Sequence, residues 1–246
     1  MTEPHSADVT VVVPAYNESS RITSTLDRLR RDAPRLGILE VIVVDDGSSD
    51  DTAALVEAQA AKPDSRIRLL KLPRNQGKGA AVRTGVAEAT GDYVIFLDAD
   101  LSAPPNAIPR AVEAIEAGAD IVIGTRVVVD GADARKTQPR RRQLSGRVFA
   151  LLQRTIVGLP YADTQCPFKL FRRDAAARLF PAAETSGWAF DVELLARARA
   201  LGLTITELPV DWHHITGSHV KVGPVAALKV VGELISIRRR VVRSGP

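Results

Sequence analysis

Apolar residues come along this chain in short unbroken runs, separated by stretches in which they recur every three or four positions. The runs "VTVVVP", "LEVIVVDD", "IRLLKL", "YVIFLD" and "DIVIG" are each followed by Gly, Ser or Pro and then by a helical pattern. Ile22, Leu26 and Leu29 keep helical spacing, as do Val82, Val86 and Ala89. Strands that are apolar throughout are covered on both faces, so the pattern predicts an α/β fold with a mainly parallel central sheet and helices on both sides. Beyond a basic, loop-like "GADARKTQPRRRQLSGR" the chain predicts an apolar helix ending near Val157, a strand "FKLFRR" and a helix "FDVELLARARALG". A strand "TITELPVDW" and a last helix from about Pro224 complete it. No internal repeat or low-complexity linker interrupts the order, so residues 1–246 read as one domain.

Ligands of such sheets bind outside the carboxyl ends of the strands. Those ends carry the polar residues here: "PAYNES", "DDGSSDDT", "RNQGKGAA", then Asp98 with Asp100, then "GTR". Composition narrows the partners. Net charge is +4 and the sequence pI about 9.4, which suits an anionic partner. The single cysteine, Cys166, excludes an internal disulfide framework and a multi-cysteine zinc site, and it reads as a small buried apolar residue. The amino terminus lacks the basic-then-apolar pattern of a secretory signal, which predicts a cytoplasmic protein. No stretch reaches the ~18 to 20 apolar residues of a membrane-spanning helix.

Asp98 and Asp100 stand two apart where a buried strand ends, a spacing that alternation along a strand places on one side. Two adjacent carboxylates repel unless one is protonated or a cation lies between them. Mg²⁺ or Mn²⁺ takes few protein carboxylates and completes its shell with water and phosphate oxygens, so these two are the candidate metal ligands. A dinucleotide-binding dehydrogenase would need a Gly-x-Gly-x-x-Gly turn after the first strand, where Pro14, Ala15, Tyr16, Asn17 and Glu18 stand instead. "GKGAA" also lacks the spacing of an ATPase phosphate loop. Gly77 and Gly79 suggest close backbone approach where a helix begins.

Taken in order, "VVVPAYNES", "VIVVDDGSSDDT", "RNQGKGAAVRTGV", "GDYVIFLDADLSAPP", "GTR", "DTQCPFKLF" and "GWAFDVELL" resemble the inverting GT-A nucleotide-sugar glycosyltransferases of family 2. The later motifs are similar to the dolichyl-phosphate glucose and mannose synthase group and lean to its glucosyl branch. The resemblance runs from about Val9 to Lys221. It implies a GT-A, Rossmann-like fold. It also implies a donor site made by Pro14, Ala15, Tyr16, Asn17, Glu18, Asp45, Asp46, Gly77, Lys78, Asp98, Ala99 and Asp100. Aromatic and carboxylate groups suit a nucleoside, although Asp45 or Asp46 can equally cap a helix with Ser48 and Ser49.

On the acceptor side the resemblance implies that Arg126, Arg141 and Ser145 grip a lipid-linked phosphate. A phosphate monoester is already ionised near neutrality and needs no general base. Asp191 then orients the donor sugar, whereas a hydroxyl acceptor would require it as base; helix N-capping is the structural alternative. Pro167 replaces the family's usual glycine, and Gly217, Ser218 and His219, with Lys221 nearby, replace its Gly-Ser-Lys. His213 and His214 have no carboxylates at metal-site spacing.

Residues 224–246 combine aliphatics with Arg238, Arg239, Arg240 and Arg243, a composition that lies on an anionic membrane surface or covers the core. The expectation is metal-dependent transfer of a sugar from a UDP-sugar to polyprenyl phosphate at the cytoplasmic membrane face, with a small membrane-anchored protein as a further partner. GDP-mannose as donor and a soluble enzyme with a hydroxyl acceptor stay open as alternatives. Nucleic acid is not an expected partner, because basic and aromatic residues do not interleave as a single-strand platform requires.

Overall fold

The computed structural model describes residues 7–126, 140–161, 163–212 and 224–243. Its elements alternate as the apolar runs predict: β1 (Val9–Ala15), α1 (Ile22–Leu36), β2 (Ile38–Asp45), α2 (Thr52–Ala60), β3 (Ile67–Lys71), α3 (Lys78–Ala87), β4 (Tyr93–Leu97), α4 (Ile108–Glu116) and β5 (Ile121–Thr125). There follow α5 (Arg140–Val157), β6 (Phe168–Arg172), α6 (Arg173–Leu179), α7 (Phe190–Ala200), β7 (Ile205–Pro209) and α8 (Pro224–Arg243).

The strands form one seven-stranded sheet in the order β3-β2-β1-β4-β6-β5-β7. Both faces are covered, as continuous apolar runs require. Val11 and Val13 of β1 join one core with α1 and α4, while Val12 joins a second with α3, α7 and α8. The chain runs outward from β1 to β2 and β3 and then crosses back to β4 on the other side of β1, so the sheet reverses its order between β1 and β4. That crevice is where ligands of open α/β sheets bind.

One strand departs from the parallel rule. β6 runs antiparallel between β4 and β5, with Phe168 opposite Leu97 and Lys169 opposite both Phe96 and Ile123. Its reversed direction brings its first residues, and the segment before them, to the edge where the parallel strands end. No described helix is long and apolar enough to cross a membrane.

Candidate active site

β4 ends at Leu97, so Asp98 and Asp100 lie past the strand. What holds them is a turn: the Leu101 N–H donates to the Asp98 carbonyl at 2.9 Å, with Leu101 at φ +48°, and the Thr25 hydroxyl donates to the Ala99 carbonyl at 2.5 Å. Strand alternation is therefore not the reason the two acids share a site. Asp100 accepts the Ser102 N–H at 2.9 Å, and Asp98 pairs with Lys78 Nζ at 2.5 Å. Burial works against the Lys78 ammonium, yet Asp98, Asp191 and Asp100 hold its pKa above the usual lysine value.

Across the crevice, Glu18 pairs with Arg21 at 2.7 Å. Burial pushes the Glu18 carboxyl up despite Arg21, and repulsion from Asp100, Asp98 and Asp50 adds to it. Negative charge is crowded here. The described residues contain no cluster of three or more His, Cys, Asp or Glu that would cage a metal. Asp98 and Asp100 as a pair nonetheless suit Mg²⁺ or Mn²⁺, which leave most positions to water and phosphate.

The loops after β1 and β2 are laced together. Asn17 Oδ1 accepts the Ser49 N–H at 2.9 Å, the Asn17 N–H donates to Ser48 Oγ at 2.9 Å, and the Glu18 N–H donates to Thr52 Oγ1 at 2.8 Å. This network sets Asn17 in the left-handed region at φ +54° and leaves Tyr16 47% exposed beside the crevice. Pro14 and Ala15 end β1 opposite Val44 and Asp45. Asp45 accepts both the N–H and the hydroxyl of Ser48, a turn ahead of α2 and not a helix cap. Buried Asp46 spends one oxygen on the Gln76 N–H at 2.7 Å and the other on the Gly77 N–H at 2.8 Å. These two bonds fix the loop that delivers Lys78.

Gly77, at φ +99°, and Gly79 are required by close approach, but to the chain itself: a Cβ on either would stand 2.5 Å from the carbonyl oxygen of Ser186 or of Thr185. The Gly79 N–H donates to Ser186 O at 2.8 Å, and Arg83 donates to Thr185 O at 2.8 Å. The 185–188 segment is thereby clamped over the start of α3.

Asp191 sits in the first turn of α7, past the cap residue Ala189, so N-capping is not its role. It is buried and pairs at 2.8 Å with Lys169, which is 0% exposed, donates to Cys166 O at 2.7 Å and lies 5.5 Å from the Phe96 ring centre. Arg126, just past β5, grips buried Asp163 with Nε at 2.6 Å and a second guanidinium nitrogen at 2.7 Å, and its Cζ lies 5.5 Å from the Trp212 ring centre. Burial opposes the Asp163 charge, but the Arg126 hydrogen bonds and charge hold its carboxyl below the usual range. Asp163 and Lys169 were missed as site residues from sequence. Their signal was present in "DTQCPFKLF", an acid ahead of a strand and a lysine between apolar residues within it.

Arg141 and Ser145 fall within α5, one turn apart along its backbone; their side chains lie outside the described residues. His213, His214, Gly217, Ser218, His219 and Lys221 also lie outside the described residues. Cys166 is buried as expected, and burial together with Asp163 pushes its thiol up to about 12. A thiol this protonated and enclosed is inert. Dithionitrobenzoate at pH 8 is expected to titrate no cysteine in the native protein and one in denaturant; fast native labelling would contradict the buried position.

Comparison with known proteins agrees with this geometry. The family model described as glycosyl transferase family 2 matches residues 10–180. A dolichyl-phosphate beta-glucosyltransferase of Trichomonas vaginalis is 38% identical, covering 95% of this chain and 72% of that protein. The protein of the same name from Dictyostelium discoideum is 36% identical over 94% and 74%, and that of Saccharomyces cerevisiae 32% over 94% and 74%. Among solved structures, glucosyl-3-phosphoglycerate synthase of Mycobacterium tuberculosis, crystallised with Mn²⁺, UDP-glucose and phosphoglyceric acid, aligns with a TM-score of 0.64 at 21% identity, covering 98% of this chain and 81% of its own. At that identity it speaks for the fold. The family match runs from β1 through β6 into α6, taking in the crevice, the acidic turn and the strand that carries Lys169, and the chain therefore belongs to glycosyl transferase family 2.

Proposed function

We propose that this glycosyltransferase moves glucose from UDP-glucose to a polyprenyl (dolichyl-like) phosphate, inverting the anomeric centre, with a divalent cation. The observation that carries this reading is that the charge of Asp98, in the acidic turn past β4, is felt by Arg126, which Asp163 holds just past β5. The turn suits a nucleoside diphosphate and Arg126 a phosphate nucleophile. The names of the relatives support glucose and a dolichyl-phosphate acceptor. The Mn²⁺ and UDP-glucose bound to the structural neighbour support the donor and the cation.

Asp98 and Asp100 would hold Mg²⁺ or Mn²⁺, whose charge offsets that developing on the departing diphosphate. Tyr16 offers an aromatic face to the base, and Glu18 with the loop fixed by Asp46 closes the nucleoside side. Arg126 has one guanidinium edge committed to Asp163 and turns its remaining donors to the acceptor phosphate, aided by Arg141 and Ser145. Asp191 is buried and paired with Lys169 at 2.8 Å, which commits one of its oxygens and fixes the direction of the other. It is an acceptor for sugar hydroxyls, which agrees with a nucleophile that brings no proton to remove.

α8 has one face on the core and another that suits a membrane surface. Leu234 and Ile237 are buried on the core, while Ile235, Val242, Arg238 and Arg239 are exposed. Arg240 is not available to a membrane, because it bonds Thr185 Oγ1 at 2.8 Å and Glu184 at 3.3 Å. Exposed Val148 and Leu151 of α5, and Trp188 with its ring 4.9 Å from Phe149, extend the apolar surface. This surface and a lipid acceptor support peripheral contact with the cytoplasmic face of a membrane.

The test is transfer of label from UDP-[¹⁴C]glucose to dolichyl phosphate in vesicles, counted in the organic-extractable, mild-acid-labile fraction. Labelling is expected with UDP-glucose. Asp191→Asn is expected to raise the donor KM and keep measurable turnover. Loss of all turnover in a folded Asp191→Asn would favour a base and a hydroxyl acceptor.

A further inference from the structure

We infer that Lys78 is a resident counter-ion that must leave Asp98 when the cation binds, and that its transfer to the donor's diphosphate couples the binding of the two. The inference rests on the proposed use of a divalent cation and a nucleoside-diphosphate sugar.

Lys78 Nζ stands 2.5 Å from Asp98 Oδ1. A Mg²⁺-like ion held by that same oxygen at about 2.1 Å would lie no more than about 4.6 Å from the ammonium. Two like charges would then face each other in a site partly shielded from water. The backbone cannot relieve this by moving away. Lys78 is the first residue of α3, the two N–H groups before it are held by Asp46, and the one after it is held by Ser186 O at 2.8 Å. Only the side chain can turn, and its ammonium sits 5.9 Å from the Phe96 ring centre and 5.8 Å from that of Phe190.

Its choice of new partner is narrow. Of the three carboxylates acting on Lys78, Asp98 and Asp100 go to the cation, and Asp191 already has Lys169 at 2.8 Å. A diphosphate arriving with the cation supplies the missing anion. Cation alone displaces Lys78 from its partner without replacement, whereas cation with nucleoside diphosphate replaces it. Each ligand therefore strengthens the other, and by linkage the gain is equal in both directions.

The experiment measures Mn²⁺ affinity by electron paramagnetic resonance, on the full chain, with and without UDP, correcting for Mn²⁺–UDP in solution. UDP is expected to tighten Mn²⁺ binding to the wild type by about tenfold or more. Lys78→Met is expected to bind Mn²⁺ alone about fivefold tighter than wild type and to lose a matching part of the gain from UDP. Lys78→Gln, which keeps a polar head, should behave alike, and thermal melts establish that both variants are folded. If wild type binds Mn²⁺ and UDP but neither variant binds Mn²⁺ alone any tighter, the inference falls and the proposed function stands. If wild type binds neither ligand, both fall together.

Discussion

Asp98→Ala and Asp100→Ala are each expected to lower sugar transfer about 10³-fold or more, because several kcal/mol of transition-state charge stabilisation goes with the cation they would hold. The expectation is specific to these two acids. Both lie in a half-exposed turn past the end of β4, so alanine costs little packing, and the Leu101–Asp98 backbone bond that closes the turn does not depend on either side chain. A chelator should reproduce the loss in wild type, and added Mg²⁺ or Mn²⁺ should restore wild type alone. The measurement is labelled lipid formed at saturating donor, beside a thermal melt of each variant. Retention of more than a tenth of the activity by both folded variants would remove the acidic turn from the reaction.

Lys169→Met is expected to cost about 3–5 kcal/mol of stability, since it leaves the buried Asp191 carboxylate without its ammonium. In a domain of this size each kcal/mol moves the melting temperature by about 2–4 °C, so a drop on the order of 10 °C is expected. Lys169→Met combined with Asp191→Asn should regain most of that stability, because no unpaired charge then remains in the core. It should not regain normal donor binding. Stability returning without the donor KM separates the pair's two roles: Lys169 is a positioning residue, and Asp191 is the group that meets the sugar. A single Lys169→Met variant that melts within a degree or two of wild type would mean that the Lys169–Asp191 pair contributes little to the stability of the fold.

The acidic turn and the buried pair differ in how plainly they stand in the chain. Asp98 and Asp100 follow an unmistakable apolar strand, and that local context marks them as candidates. Tyr16, Glu18 and Lys78 are equally local to their strand ends. Lys169 reads as a charged residue in a strand, and only the antiparallel insertion of β6 between β4 and β5 shows that neither of its faces meets water. Asp163 and Arg126 stand 37 residues apart, and no periodic pattern links them. Asp46 was legible as a carboxylate at a strand end, but its partners are backbone N–H groups of a loop 30 and 31 residues on, which carry no side-chain signal at all.

From its sequence alone this chain is bound to an α/β sheet with chemistry at the carboxyl ends of its strands, because two-sided apolar runs and helical spacing are local properties of the polymer. The acidic turn belongs to the same category. Which charges neutralise one another was decided only in three dimensions. The direction of β6 brings Lys169 to Asp191 and Asp163 to Arg126, and the clamp of the 185–188 segment on Gly77 and Gly79 aims Lys78 at Asp98. Ion pairs in a core depend on distances between elements far apart in the chain, and those distances exist only once the sheet has closed its order.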